Sequence, residues 1–165
     1  ETVKEYEPLL KELLGNQTPS GVHVEIKKFG DILSWFGPLT GGFLERIKEI
    51  ASKMWFHGDE STRNAELMLA DKRVGTFLLR FSNSSPGSFA ISRVTAKGQA
   101  KFVQHIRIHH KANTTIFQLA DEKYDSLVSL VEGESAKRGL ILPCLGSKYF
   151  RLITVHDSIE DLRNR

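Results

Sequence analysis

Cysteine is almost absent from this chain, and so are long apolar runs and any strong excess of charge. Cys144 is the single cysteine among 165 residues, so no internal disulfide can form, which fits a reducing intracellular setting. No apolar stretch approaches the roughly 20 residues of a membrane span, and the start has no signal-peptide pattern. With 23 basic and 20 acidic residues the net charge is only +3, which argues against a dedicated nucleic-acid binder. We therefore expect a globular fragment with no membrane insertion and no nucleic-acid partner.

The first third of the sequence is predicted to be helical. Apolar residues recur at helical spacing over residues 3–14, 29–36 and 44–54, and a breaker-rich loop from Gly15 to Gly21 follows the first stripe. We interpret residues 1–53 as a helical linker that opens with a degenerate helix-loop-helix. Because the chain begins with a glutamate and not a methionine, we also expect it to be a piece of a longer protein.

The opening loop has the turn glycine of a calcium-binding loop but lacks its ligands. If Gly21 is that glycine, the positions that should supply oxygen ligands carry Asn16, Thr18, Ser20 and Lys27. None of these is a carboxylate and the last is a cation, whereas calcium sites depend on carboxylate oxygens. We therefore expect a scaffold without a metal and without a cofactor.

From Trp55 onward the pattern changes to short strands between two helices. Ser61 can cap a helix that runs to Leu69, and a second helix is predicted with Tyr124 and residues 127–131 on its apolar side. Strands are predicted at 75–82, 89–94, 102–108 and 114–119. This order predicts an α+β fold, with a central antiparallel sheet flanked by two helices and preceded by the helical extension. We assign residues 54–165 to this domain, ending in a polar helical or frayed tail from Asp157.

The strand Gly75–Ser82 places an arginine among apolar residues. Arg80 lies between Leu79 and Phe81, where a guanidinium is costly unless it meets an anion. The loop that follows, residues 82–88, is rich in hydroxyl and backbone N–H donors. An arginine that faces such a loop is suited to bind an oxyanion. The alternative is that Arg80 is paired with a carboxylate of its own chain.

Four motifs follow one another along the chain: Trp55-Phe56-His57-Gly58, Ala65-Glu66-x-x-Leu69, Gly75 to Ser82, and Val103 to Ile108. Their order and spacing, over about residues 54–145, resemble the Src homology 2 domain, the module that binds phosphotyrosine peptides. The resemblance implies a phosphotyrosine-dependent peptide-binding module of a larger intracellular signalling protein, with tyrosine-phosphorylated peptides or proteins as partners. It also implies a cytoplasmic location, with the nucleus as a second one, and no enzymatic activity.

The resemblance implies roles for individual residues of the pocket. Arg80 would hold two phosphate oxygens with its forked guanidinium. His105 would shape the pocket, and Arg107, on the same strand face, would lie against the phosphotyrosine ring and its phosphate. Further donors to the phosphate would come from the loop after Arg80, namely Ser82, Asn83, Ser84 and Ser85.

One helix position departs from the family pattern. An arginine often follows the capping serine in Src homology 2 domains, but Thr62 follows Ser61 in this chain and Arg63 comes one place later. One place rotates a side chain by about 100° on an ideal helix. Whether Arg63 reaches the phosphate is therefore left open.

The resemblance also extends beyond the phosphate pocket. On the opposite face of the sheet, Ile106, Ile116 and Leu140 are expected to form a hydrophobic pocket for an apolar side chain a few residues after the phosphotyrosine. The stretch GTFLLRFS is close to the form found in signal transducers and activators of transcription. Residues 1–53 resemble the helical segment that precedes the domain in those proteins and in Cbl-type ubiquitin ligases.

Two other functions stay open from the residues alone. A phosphatase or other phosphate-handling enzyme would need a nucleophile beside Arg80, whereas the following loop offers serine and asparagine and Cys144 lies far along the chain. A degenerate module that keeps the fold but binds another ligand is the second alternative, and Thr62 raises it. His109 and His110 could bind a metal, but no further ligand at a useful spacing accompanies them.

Overall fold

The computed structural model describes residues 2–18 and 21–163 and has the α+β architecture that the sequence predicts. Its helices are α1 (Thr2–Leu14), α2 (Ile26–Phe36), α3 (Phe43–Ala51), α4 (Thr62–Leu69), α5 (Leu127–Arg138) and α6 (Lys148–Arg163). Its strands are β1 (Gly15–Thr18), β2 (Gly21–Val24), β3 (Phe56–Gly58), β4 (Thr76–Phe81), β5 (Phe89–Lys97), β6 (Ala100–His110), β7 (Phe117–Leu119), β8 (Glu122–Tyr124) and β9 (Leu142–Pro143). No helix among these residues is both long and apolar enough to cross a membrane.

A seven-stranded, mostly antiparallel sheet forms the centre of the molecule. Its strands lie in the order β3-β4-β5-β6-β7-β8, with β9 also paired to β4. β3 and β9 run parallel to β4, while the pairings of β4 with β5 and of β5 with β6 are antiparallel. The register places Arg80 opposite Ala90, and Ala90 opposite Arg107. Three neighbouring strands therefore present these residues side by side on one face.

The opposite face of the same strands carries the main hydrophobic core. Because successive residues of a strand point to opposite faces, the neighbours of Arg80 on β4 face away from it. Leu79 and Phe81 are buried there, with Phe89, Ile91 and Ile108 of the adjoining strands. A smaller cluster lies on the Arg80 side, where Ala65 and Leu69 of α4 pack on the sheet. The two faces of the sheet thus differ in composition, since one is apolar and the other carries a polar patch around Arg80.

The three helices before the sheet belong to the main core. Leu9 of α1, Ile32 of α2 and Ile47 of α3 are each at most 2% exposed and lie in one cluster with residues of the sheet, α5 and α6. At the edge of this packing, Lys148 Nζ of α6 lies 2.7 Å from Glu12 Oε1 of α1. The helical extension therefore packs onto the sheet domain, and the predicted boundary after residue 53 falls between α3 and β3.

The predicted loop between Gly15 and Gly21 is wrong over its described residues. Gly15–Thr18 form β1 and pair antiparallel with β2, with Gly15 opposite Val24. Over Gly15–Thr18 the breaker-rich composition therefore belongs to a paired strand and not to an irregular segment. Residues 19 and 20 lie outside the described part, and the second of them, Ser20, is one of the four positions tested as calcium ligands. Within the described residues no cluster of three or more His, Cys, Asp or Glu could hold a metal ion.

The prediction that Tyr124 lies on the second helix is also wrong. Tyr124 ends β8, and α5 begins after Ser126, whose hydroxyl accepts a hydrogen bond from the backbone N–H of Ser129. The spacing from Tyr124 to the helix fits the helical period, but the capping serine sets the start. Its hydroxyl still reaches the helix and donates to Glu134 Oε1 at 2.6 Å. At the C-terminal end, α6 begins at Lys148, well before the tail predicted from Asp157.

Candidate functional site

A cavity of about 240 Å³ opens on the polar face of the sheet, above Arg80. Five parts of the chain surround it: the start of α4, β4, the loop 82–88, β5 and β6. The lining residues are Thr62, Arg80, Ser82, Asn83, Ser84, Ala90, His105, Ile106 and Arg107. Most of the residues that the sequence predicted for a phosphate pocket therefore lie around one cavity.

The guanidinium of Arg80 forms the base of this cavity and is held by neutral groups. Arg80 is only 3% exposed. Its Nη2–H donates to Thr62 Oγ1 at 2.8 Å, and its Nη1–H donates to Asn83 Oδ1 at 2.9 Å. Nη1–H also donates to the carbonyl oxygen of Phe81, and Nε–H donates to Ser92 Oγ, each with a nitrogen–oxygen distance of 3.2 Å. The two ends of the fork are thus occupied by side-chain oxygens of residues that line the cavity.

Arg80 makes no ion pair with a carboxylate in the part of the chain that the structure describes. Glu66 is the acidic residue that acts electrostatically on Arg80, but its carboxylate contacts His105 and not the guanidinium. Burial lowers the pKa of Arg80 from its ordinary value, and the negative charge of Glu66 partly opposes this effect. An arginine keeps its proton despite such a shift. The site therefore holds a buried positive charge that no carboxylate of the described residues contacts in an ion pair.

A chain of hydrogen bonds joins Arg80 to His105 and Glu66. Ser92 Oγ, which accepts the Nε–H of Arg80, lies 2.8 Å from His105 Nδ1, and His105 Nε2 lies 3.2 Å from Glu66 Oε1. If Nε2–H donates to the carboxylate, Nδ1 accepts from the serine hydroxyl, and each side-chain group in this series of hydrogen bonds then has a partner. The chain fixes both the imidazole and the buried guanidinium, since each hydrogen bond orients the next.

A second cation stands at the mouth of the cavity. Arg107 is exposed, and its Nη2–H donates to Ser84 Oγ at 2.9 Å. It shares its strand face with His105 and lies opposite Ala90, whose small side chain leaves room above the sheet. A flat apolar group that enters the cavity would pass between Arg107 and Ala90 on its way to Arg80.

Two predicted donors lie beside the cavity and do not line it. The hydroxyl of Ser85 is 3.1 Å from that of Ser88, within its own loop. Arg63 is exposed on α4 and is not among the lining residues. Thr62, one place earlier, contacts Arg80 directly. The roles of Ser85 and Arg63 stay predictions.

The three residues predicted for peptide specificity have different environments. Ile106 is half-buried and packs against the main core, and Ile116 is half-buried near the start of β7. Leu140 is 5% exposed and is part of the core, so its side chain is not presented to a ligand. Ile106 and Ile116 keep partly exposed side chains, and their contact with a bound peptide stays a prediction.

Sequence reasoning missed three partners in this site. Thr62 was taken only as the place of an absent arginine, Glu66 only as part of a motif, and Ser92 was not considered. For Ser92 a signal existed, because it lies two residues after Ala90 and so on the same strand face. For Thr62 none did, since its contact depends on how α4 lies over the sheet.

The fold and the site together define a binding module, in which a sheet presents a buried arginine at the base of a cavity of about 240 Å³. The SH2 domain family model matches residues 55–133. The chain is also similar to the solution NMR structure of the SH2 domain of a CRK/CRKL homolog from Monosiga brevicollis, with a TM-score of 0.50 and 26% identity, over 57% of this chain and 88% of that one. The chain therefore contains an SH2 domain, a phosphotyrosine-binding module of signalling proteins.

Several relatives that contain a similar segment are protein kinases. The dual specificity protein kinase shkA of Dictyostelium discoideum is 39% identical over 143 residues, which are 82% of this chain and 26% of that protein. The kinase shkB of the same organism is 35% identical over 138 residues, 82% of this chain and 20% of the relative. The tyrosine-protein kinase Abl of Drosophila melanogaster is 31% identical over 112 residues, 66% of this chain and 7% of the relative. The chain thus spans about a quarter or less of these proteins.

Proposed function

We propose that Arg80 and the residues around its cavity bind the phosphate of a phosphotyrosine side chain, and that this docks a larger signalling protein onto tyrosine-phosphorylated partners. One observation carries the proposal. The guanidinium of Arg80 is buried and positively charged, and its fork is occupied only by neutral oxygens of Thr62, Asn83 and the backbone. A phosphate brings roughly −1.5 to −2 charge at pH 7, with oxygens that match the fork in a bidentate pair.

Binding is an exchange of acceptors on the fork. Phosphate oxygens replace Thr62 Oγ1 and Asn83 Oδ1 on the two Nη atoms, while Nε–H keeps its bond to Ser92, so the guanidinium does not have to move. The released hydroxyl of Thr62 and those of Ser82 and Ser84 can then donate to the phosphate. The bonds from Arg80 to Thr62 and Asn83 have one charged partner, whereas the bonds to phosphate have two charged partners and a bidentate geometry, so the exchange is favourable.

The depth of Arg80 explains a preference for phosphotyrosine over phosphoserine. The charge at the base is 3% exposed, whereas Arg107 at the mouth is exposed. Only a phosphate on a long, flat stem reaches the base, and the aromatic ring then lies between Arg107 and Ala90. A cation over an aromatic face adds roughly 0.5–2 kcal/mol. A phosphoserine would reach the mouth alone.

The residues around the pocket extend this proposal to the whole chain. Arg63 and Ser85 take part if α4 and the loop shift on binding, and Ile106 and Ile116 contact an apolar side chain that follows the phosphotyrosine. Residues 1–53 serve as a helical linker, similar in order to that of Cbl-type ligases or of signal transducers and activators of transcription, and residues 54–165 as the binding domain. The parent protein acts in the cytoplasm, with the nucleus as a second site, and this fragment contributes binding and no catalysis.

The test compares one peptide sequence in three forms, carrying phosphotyrosine, tyrosine or phosphoserine at the same position. The sequence is chosen by screening the chain against a phosphotyrosine peptide library, and binding is measured by calorimetry. We expect binding of the phosphotyrosine form alone, with no release of inorganic phosphate during the titration. Equal binding of the phosphoserine form would contradict the role of the deep arginine. Release of phosphate would favour the enzyme alternative.

A further inference from the structure

The loop 82–88, which supplies donors to the proposed phosphate pocket, leans on the helical extension as well as on the sheet. Trp35, near the end of α2, stacks on Phe81, with ring centroids 3.8 Å apart and planes 14° from parallel. Its indole Nε1–H donates to the carbonyl oxygen of Ser88 at 3.2 Å, across 53 positions of sequence. One side chain of the extension therefore touches the residue that precedes the loop proper and the residue that ends it.

The carbonyl of Ser88 is where the loop closes. It also accepts the backbone N–H of Ser82 at 2.9 Å, so the first and last residues of the loop meet at the same oxygen that Trp35 contacts. Ser82 and Ser88 are 8% and 5% exposed, so water competes weakly for these groups. A buried hydrogen bond of this kind sets a geometry more firmly than an exposed one.

Two further contacts fix the end of α2, one against the loop and one against the sheet. A Cβ atom at Gly87 would lie 3.2 Å from the carbonyl oxygen of Ser34, so the loop backbone and the helix are in close contact there. Gly87 has a φ of 75°, a left-handed conformation that glycine adopts without strain. The same carbonyl of Ser34 lies 2.7 Å from Nδ1 of His110, at the end of β6. The helix end is thus fixed to the sheet on one side and to the loop on the other.

Phe81, which Trp35 contacts, also contacts the guanidinium of Arg80. The indole of Trp35 stacks on the ring of Phe81, and the carbonyl oxygen of Phe81 accepts a hydrogen bond from Arg80 Nη1 at 3.2 Å. Asn83, two residues further, holds the same Nη1 atom at 2.9 Å. A shift of Phe81 or of the loop would therefore move two acceptors of the fork at once.

We infer that Trp35 is a positioning residue for phosphate binding, so that the binding module includes α2 and not the SH2 segment alone. The inference rests on the proposed function. A second observation concerns only the extent of the module: the match to the kinase shkA covers 82% of this chain, whereas residues 55–165 make up only about two thirds of it. The similarity therefore extends into the helices that precede Trp55.

The decisive variant is Trp35→Phe, which keeps an aromatic ring on Phe81 but removes the donor to Ser88. Since one neutral hydrogen bond is lost, we expect binding of the selected phosphotyrosine peptide to weaken about two- to tenfold, mainly through faster dissociation. In the free protein, the amide of Ser82 should exchange with solvent several-fold faster. The matched control is Ile32→Val, a buried change in the same helix that lowers the melting temperature without touching the loop. It should leave peptide affinity and the exchange of Ser82 unchanged.

A spectroscopic readout separates positioning from general stability. Trp35 and Trp55 are the two tryptophans, so Trp55→Phe leaves Trp35 as the single reporter. With phenyl phosphate as a probe of the pocket alone, its emission should change on titration, and Arg80→Ala should abolish the change. If Trp35→Phe binds the peptide as tightly as the unaltered chain does while Arg80→Ala does not bind it, the inference is overturned and the proposed function stands. If no phosphotyrosine peptide binds the unaltered chain, the proposed function itself fails, and the inference with it.

Discussion

Replacing Arg80 with alanine tests the exchange of acceptors most directly. In the ligand-free structure the two Nη atoms donate to Thr62 and Asn83. In the complex the same donors would bond to oxygens of a doubly charged phosphate, so that both partners of each hydrogen bond are charged, and a hydrogen bond to a charged group contributes about 1.5–3 kcal/mol. Because the alanine variant also leaves a desolvated phosphate without its partner, we expect a loss of about 2–5 kcal/mol. This corresponds to a Kd about thirtyfold to several thousandfold higher.

The assay is calorimetric titration of the selected phosphotyrosine peptide, with Arg107→Ala as the matched control. Arg107 is the exposed cation of the same pocket, and a cation over a ring contributes about 0.5–2 kcal/mol, or at most about thirtyfold. Thermal melting shows whether Arg80→Ala folds, and Arg80→Lys, which keeps the charge but not the fork, should bind in between. A loss below about threefold in a folded Arg80→Ala protein, or a larger loss at Arg107 than at Arg80, would refute the reasoning.

Two further variants probe the pocket wall and the core. Thr62→Arg should strengthen phosphotyrosine binding about threefold to tenfold by adding a cation beside Arg80, and calorimetry should show the gain shrinking at high salt. An unchanged affinity would contradict the proposal that position 62 lies beside the bound phosphate. Glu134 is 1% exposed, and although burial alone would raise its pKa, hydrogen bonds from Tyr124 and Arg138 lower it overall. Glu134→Gln should therefore cost about 1–3 kcal/mol at neutral pH, and the difference should fade as pH drops below the ordinary value of 4.5. The exposed Glu132→Gln is its control in thermal melts, and a Glu134→Gln cost that persists in acid would contradict the assignment.

Local pattern was sufficient for the elements that carry a clear stripe or a cap. The apolar stripes of the first three helices, the capping serine before α4 and the apolar body of β4 all predicted elements that the structure contains. β8 was missed because Glu122, Lys123 and Tyr124 have no strand pattern of their own; the strand exists through its pairing with β7. The first half of α6, before the tail predicted from Asp157, was missed because it has a narrow apolar stripe, marked by Tyr149 and Ile153, among polar residues.

The same distinction applies to the site. Arg80 and the donors after it could be proposed from the sequence because they are neighbours in the chain and their chemistry is unusual for a strand. The hydrogen bond from Arg80 to Thr62 joins residues 18 positions apart, and that from Trp35 to Ser88 spans 53. Such contacts depend on the register of the strands and on the placement of two helices, which no local periodicity contains. Sequence reasoning therefore finds the charged centre of a site more easily than the groups that hold it.

The position of Trp35 has a thermodynamic consequence for the helical extension. A coupling free energy between two sites acts equally in both directions. If the indole of Trp35 strengthens phosphate binding by holding the 82–88 loop, then bound phosphate must strengthen the packing of α2 on the sheet by the same factor. A ligand can shift such an equilibrium only by its differential affinity for the two states. For a factor of about two to ten, the coupling is about 0.4–1.4 kcal/mol. This is small against the buried core that joins the helices to the sheet, so phosphopeptide binding would tighten the extension without being required to dock it.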